Sequence, residues 1–240
     1  MKKTLLLAIL FLPGSWAFAA GGGNEHLDPV NVNLTDKASL RRGATLFVNF
    51  CLSCHSAAYM RYNRMAKDLE IPESVVQEKM LFAGDKIGGL MKTTMPVADA
   101  KEWFGIAPPD LSLVARVRKP EWIYTYLRSF YLDQKSSSGW SNTLFPNVAM
   151  PHILYELEGS KELVGMDPKT KTPKFKLLKA GKMTTEQFDG AMRDLTNFLV
   201  YLAEPIKLKR YSLGAFVLAF LLLLLVASYA LKKEYWRDVH

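Results

Sequence analysis

Cysteine is almost absent from this chain: there are two, Cys51 and Cys54, and both lie in one stretch, "FVNFCLSCHSAAYMR". A structural zinc site needs four ligands, usually a second CxxC or a paired-histidine motif. With no further cysteine, and with His26, His152 and His240 scattered, that site is not available. A disulfide between residues so close in sequence is too tight for a useful structural staple. The alternating strand–helix pattern that frames a thioredoxin-like CxxC is missing as well. Internal repeats are lacking, which excludes solenoids and arrays. The formal net charge is +8, but the basic residues are spread out and form no concentrated patch, so nucleic acid is excluded as a partner. Charge is wholly missing from residues 211–231.

That uncharged run, "AFVLAFLLLLLVASYA" at its centre, would span about 31 Å as a helix and matches a bilayer core. It predicts a membrane anchor over 207–232 with a short tail, 233–240. Lys207, Lys209 and Arg210 precede it and Lys232, Lys233 and Arg237 follow, so the positive-inside rule does not orient it. The other end does. Lys2 and Lys3, an apolar run over 5–12, Pro13-Gly14 and the small-x-small Ala17-Phe18-Ala19 read as a signal peptide over 1–19. The body, 20–206, is therefore expected in the bacterial periplasm, with the tail in the cytoplasm.

Within the body, Thr35 or Asp36 can cap a helix that carries Leu40, Gly43, Phe47 and Phe50 straight into Cys51. Gly43 costs helix stability, so its value is close approach of another backbone, expected to be the 184–204 helix. "DLEIPESVVQEKMLF" predicts helix, with a second piece beginning at Glu73 after Pro72. A loop-rich stretch around Gly84, Gly88, Gly89 and Pro96 follows. "APPDLSLVARVRKPEWIYTYLRSFY" predicts two helices, one capped by Asp110 and one opened by Pro120. "DQKSSSGWSN" reads as a surface loop, and "KELVGMDPKTKTPKFKLLKAGK" as a lysine-rich hairpin turning at "DPKTK". Thr184 and Gln187 form a capping box ahead of an apolar face of Phe188, Ala191, Met192, Leu195, Leu199 and Leu202. The fold class expected is mainly α: a helical domain with a small β-hairpin insertion and one C-terminal transmembrane helix.

The haem enters because C-x-x-C-H is the signature of c-type attachment. Two thiols at i and i+3 can add to the two vinyl groups of one porphyrin, and His55 then projects under the ring to the iron. One motif implies one covalent haem. The sixth iron position decides between electron transfer and gas or peroxide chemistry. Met95 and Met150 both lie in loops before a proline, and His152 is a third candidate; spacing alone does not choose between Met95 and Met150.

Taken together, "SLRRGATLFVNFCLSCHSAAYMRY", "APPDLSLVARVR", "AMPHILYE", "YLAEPIKLKR" and the single anchor resemble the cytochrome c1 family. These proteins are the haem subunits of the quinol–cytochrome c oxidoreductase, or bc1, complex. The resemblance runs in order over nearly the whole chain. It implies thioether links at Cys51 and Cys54, His55 as proximal ligand and Met150 as distal ligand. It also implies that the segment holding Pro109 lies along the haem and that an arginine pairs with a propionate, Arg118 matching best and Arg116 second. Implied partners are cytochrome b, a Rieske iron–sulfur protein and a soluble or membrane-bound cytochrome c acceptor. No substrate bond would be broken in this chain, since the family's quinol chemistry resides in a partner subunit. The family often offers an acidic surface to a basic carrier. Here Glu156, Glu158, Glu162 and Asp167 gather after Met150, with Lys161 and Lys169 interspersed. The alternative reading is a free-standing membrane-anchored c-type carrier serving another terminal reductase or oxidase.

Overall fold

The computed structural model describes residues 26–82 and 86–238; the expected signal peptide at 1–19 lies outside them. The first helix, α1 (Lys37–Leu46), starts where Asp36 accepts a hydrogen bond from the Ser39 backbone N–H at 3.0 Å; the cap is therefore Asp36 rather than Thr35. α1 does not run into the cysteines as regular α-helix. Residues Phe47–Cys51 form one π-helical turn, closed by Leu52 N–H donating to Phe47 O at 3.0 Å. A π turn takes one extra residue per turn, so it rotates everything after it relative to the α1 face, and such turns recur at functional sites.

β1 (Ala57–Arg61) leads into α2 (Tyr62–Leu69), which stops at Glu70 in the left-handed region, and α3 (Glu73–Lys79) begins after Pro72 as expected. The stretch expected to be loop holds β2 (Leu90–Met91), antiparallel to β1, and a further helix, α4 (Val97–Phe104). α5 (Val114–Val117) is a single turn. α6 (Pro120–Arg128) carries Pro120 at its first position, where a missing N–H costs nothing. The "DQKSSSGW" loop is the turn of a hairpin between β3 (Phe130–Leu132) and β4 (Trp140–Asn142). α7 (Tyr155–Glu158) precedes the expected lysine-rich hairpin, β5 (Gly159–Met166) with β6 (Pro173–Ala180), whose turn is pinned by Asp167 accepting from Lys169 and Thr170 backbone N–H groups. The described residues thus hold three two-stranded antiparallel sheets where one hairpin was expected.

α8 (Thr185–Ala203) is the central strut, opened by the Thr184–Gln187 capping box with both reciprocal bonds made. Phe188, Ala191, Met192, Leu195, Leu199 and Leu202 are all buried. α1 crosses it at Gly43, where a Cβ would fall 2.1 Å from the Asp194 carbonyl oxygen; only glycine lets the two backbones meet there. One turn on, Phe47 packs on Phe198 with ring centroids 5.6 Å apart. Arg42 clamps the crossing through a two-pronged pair with Asp194, at 2.5 and 3.1 Å. The core so formed reaches Cys51, Leu52, Tyr62, Met65 and Leu69. α9 (Lys207–Tyr235) leaves this body with none of its residues buried, and it is long and apolar enough to cross a membrane.

Candidate functional site

The π turn delivers Cys51 into the core and leaves Cys54 half-buried. Past it the chain folds back on itself: Cys54 and His55 N–H groups both donate to Cys51 O, at 3.1 and 2.8 Å. Both thiols are free, and burial pushes the Cys51 thiol up to about 12, so it stays protonated. His55 is buried, and its Nδ1–H donates to Pro109 O at 2.7 Å. That bond fixes the tautomer and leaves Nε2 as a lone-pair donor, the arrangement expected of a metal-binding imidazole. Burial, the largest influence, lowers the His55 pKa against the opposing effect of the Pro109 bond and the Asp110 charge, which keeps the ring neutral.

Pro109 is held in place by its neighbours. Asp110 does not cap a helix. Its carboxylate accepts from Ser112 N–H at 2.7 Å and from Ala58 N–H at 2.9 Å, while Leu111 N–H donates to Ser56 O at 2.8 Å. Ser112 Oγ accepts from Tyr59 N–H at 3.1 Å. The Pro109–Ser112 run is therefore stitched to the segment that leaves His55. On the other side Thr93 ties in through Ser56 Oγ and Ser53 O, at 3.0 and 2.6 Å. Met95 lies here, half-buried, beside a cavity of about 170 Å³ that Cys54, Pro108 and Asp110 also line.

Met150 belongs to a second group. Its Sδ accepts from Tyr126 Oη–H at 3.4 Å. The Tyr126 ring stacks on Trp122, centroids 5.0 Å apart and planes 11° from parallel, and the Arg118 guanidinium sits 4.6 Å above the Trp122 ring. Arg118, Trp122 and Tyr126 are spaced i, i+4, i+8, which puts them on one face of α6 and its approach. Arg116 is exposed and forms no ion pair among the described residues. The structure thus gathers Cys51, Cys54, His55 and Pro109 in one group and Arg118 and Met150 in another, joined by residues 109–118; Arg116 stands apart. Trp122 and Tyr126 were missed from sequence. Their spacing after Arg118 was the available signal.

His152 is committed elsewhere. Its buried ring stacks on Phe130 at 5.0 Å, meets Trp140 edge-on at 5.0 Å, and lies 2.8 Å from Glu158 without the alignment of a hydrogen bond. Glu158 also pairs with Lys161, whose ammonium is buried and donates to Arg128 O at 2.7 Å. Lys161 is therefore no part of a solvated lysine face. The other acidic residues of this stretch are each matched by a lysine: Glu156 with Lys182 at 2.7 Å, Glu162 with Lys176 at 3.1 Å, Asp167 with Lys174 at 3.6 Å. No free acidic surface is left here.

The donor set fits a covalently attached haem. Two unpaired thiols three residues apart are followed by a neutral imidazole with one nitrogen free, and a thioether sulfur is oriented by a hydroxyl. It does not fit zinc, because no group of three or more His, Cys, Asp or Glu gathers among the described residues.

Comparison with known proteins agrees. The family model described as the Cytochrome C1 family matches residues 30–86 and 91–239. A cytochrome c1 of Allochromatium vinosum is 48% identical over 247 residues and covers 100% of both chains. The ammonia monooxygenase gamma subunit of Nitrosomonas europaea is 44% identical over 240 residues, covering 100% of this chain and 99% of its own. A solved chain from a hyperthermophilic respiratory complex III covers 98% of this chain and 94% of its own at 17% identity, with a TM-score of 0.42, too low to carry an argument.

Proposed function

The chain belongs to the cytochrome c1 family, and from that premise we propose that Cys51, Cys54, His55 and Met150 hold the family's one covalent c-type haem. It is the electron-transfer subunit of the quinol–cytochrome c oxidoreductase, anchored in the membrane by α9. There it partners cytochrome b, takes electrons from the Rieske iron–sulfur protein and passes them to a cytochrome c. When bound, the haem supplies a one-electron ferric/ferrous couple.

The residues have distinct tasks. Cys51 and Cys54 would give the thioether links, and His55 Nε2 and Met150 Sδ would hold the iron. A histidine–methionine pair would favour the reduced iron and would suit a relay rather than a gas site. Pro109 O orients His55, and the Asp110 and Ser112 bonds keep Pro109 from drifting. Arg118 is assigned to a haem propionate, a charge-assisted pair for which its guanidinium is free of any carboxylate among the described residues; Arg116 is the second choice. The haem domain faces the periplasm, a reading supported by the signal-like sequence over 1–19 and by α9, the one candidate span among the described residues.

The observation that carries this reading is the buried, neutral His55 locked through Nδ1 to Pro109 directly behind two free thiols. Isolation in mild detergent tests the function: a b-type cytochrome and a Rieske protein should co-purify, and a lone haem protein would refute the assignment. Met150→Leu tests the ligand. It should turn a low-spin haem high-spin and open it to carbon monoxide; an unchanged low-spin spectrum would move the assignment to Met95 or His152.

A further inference from the structure

Tyr126 is half-buried, and its hydroxyl has a single hydrogen-bond partner among the described residues, the Met150 sulfur at 3.4 Å. The phenol is not loosely placed. Trp122 stacks on one side of the ring at 5.0 Å, Phe130 meets it edge-on at 5.1 Å, and the Tyr126 carbonyl accepts from Asn142 Nδ2 at 2.8 Å. Each contact comes from a different point, so the ring has little freedom to turn the hydroxyl elsewhere. A thioether carries no proton, so in this contact the phenol hydroxyl is the donor and the sulfur the acceptor.

We propose that Tyr126 is a positioning residue for electron transfer, donating its hydroxyl proton to Met150 Sδ and thereby fixing the sulfur and raising the haem potential. The inference rests on Met150 being the distal ligand. A thioether sulfur has two lone pairs. One can face iron while the other accepts from Tyr126, so the two roles are compatible. The hydrogen bond draws electron density off the sulfur, and a poorer donor stabilises ferric iron less than ferrous iron. The stacked Trp122 and Tyr126 rings also connect Arg118 to Met150 along one helix face.

The test uses the full chain matured with its haem in membranes. Tyr126→Phe deletes one hydroxyl and keeps the ring that stacks on Trp122. The ferrous-to-ferric equilibrium constant at a fixed ambient potential should fall about three- to tenfold, a decade being ~59 mV for one electron. The weak sulfur-to-iron charge-transfer band should shift while the haem stays low-spin. In a Met150→His background, where no sulfur is present, Tyr126→Phe should leave the potential unchanged. An unaltered potential and band in Tyr126→Phe, or an equal shift in both backgrounds, would overturn the proposal while leaving Met150 as ligand. Failure of the ligand assignment itself is read separately, from a low-spin spectrum that survives Met150→Leu.

Discussion

Gly43 of α1 and Asp194 of α8 touch backbone to backbone: a Cβ on Gly43 would lie 2.1 Å from the Asp194 carbonyl oxygen and 2.7 Å from Phe198 Cβ. This crossing sets the angle at which α1 leads into the π turn and so aims the two cysteines. Gly43→Ala gains up to about 1 kcal/mol of helix propensity. Neither neighbour can swing aside, so the helices must part, and overpacking should cost about 1–3 kcal/mol or more. Denaturant unfolding of the haem-loaded protein should show a net loss; equal or greater stability would contradict the close contact.

Cys51→Ser and Cys54→Ser should each leave haem attached by one link, and the double variant should retain none after denaturation. Haem stain on a denaturing gel and the intact mass check this. Full covalent haem in the double variant would contradict the assignment of these thiols.

Asp110→Ala removes the acceptor for Ala58 and Ser112 N–H. Water can reach this exposed carboxylate's place, so the loss should be modest, about 1 kcal/mol. Its signature should be local. Hydrogen exchange at Ala58 and Ser112 should quicken while α8 keeps its protection. Unchanged exchange at both amides would show that the carboxylate is not their acceptor.

Glu158→Gln leaves the Lys161 ammonium without its counter-charge. Both side chains are mostly buried, and an orphaned buried charge costs about 3 kcal/mol. Burial, the largest influence, already lowers the Lys161 pKa, Glu158 opposes it, Arg128 lowers it further and Asp189 raises it. A group whose folded pKa lies below its unfolded value destabilises the fold while it is charged. That penalty is relieved as pH rises from the folded pKa toward the unfolded one. The deficit of Glu158→Gln should therefore be largest at neutral pH and shrink in alkali. A deficit that grows with pH would contradict the pairing.

Much of the fold was legible because its signals are local. Asp36 and the Thr184–Gln187 box mark helix starts within one turn, "DPKTK" carries its own turn chemistry, and Gly43 in an otherwise apolar helix face announces a close neighbour. What was not legible depends on distant partners or on geometry without a composition. "FVNFC" reads as ordinary α-helix, since nothing in residue type records the extra residue of a π turn. β3 and β4 are too short to show alternation, and α4 was masked by the glycines and proline before it. Asp110 resembles a helix cap in sequence, yet a partner 52 residues away takes its carboxylate. The site divides the same way. Cys51, Cys54 and His55 are a contiguous motif, whereas Met150 was chosen over Met95 only by family resemblance, and Tyr126 finds its sulfur 24 residues downstream.

The most direct measurement is an optical redox titration of membranes with the haem band assigned to this chain, repeated on the reduced protein under carbon monoxide at neutral pH. The expected result is one low-spin c-type component that titrates in a single one-electron step and is blind to carbon monoxide. A carbon monoxide adduct would contradict a closed His55–Met150 iron and, with it, a dedicated electron relay.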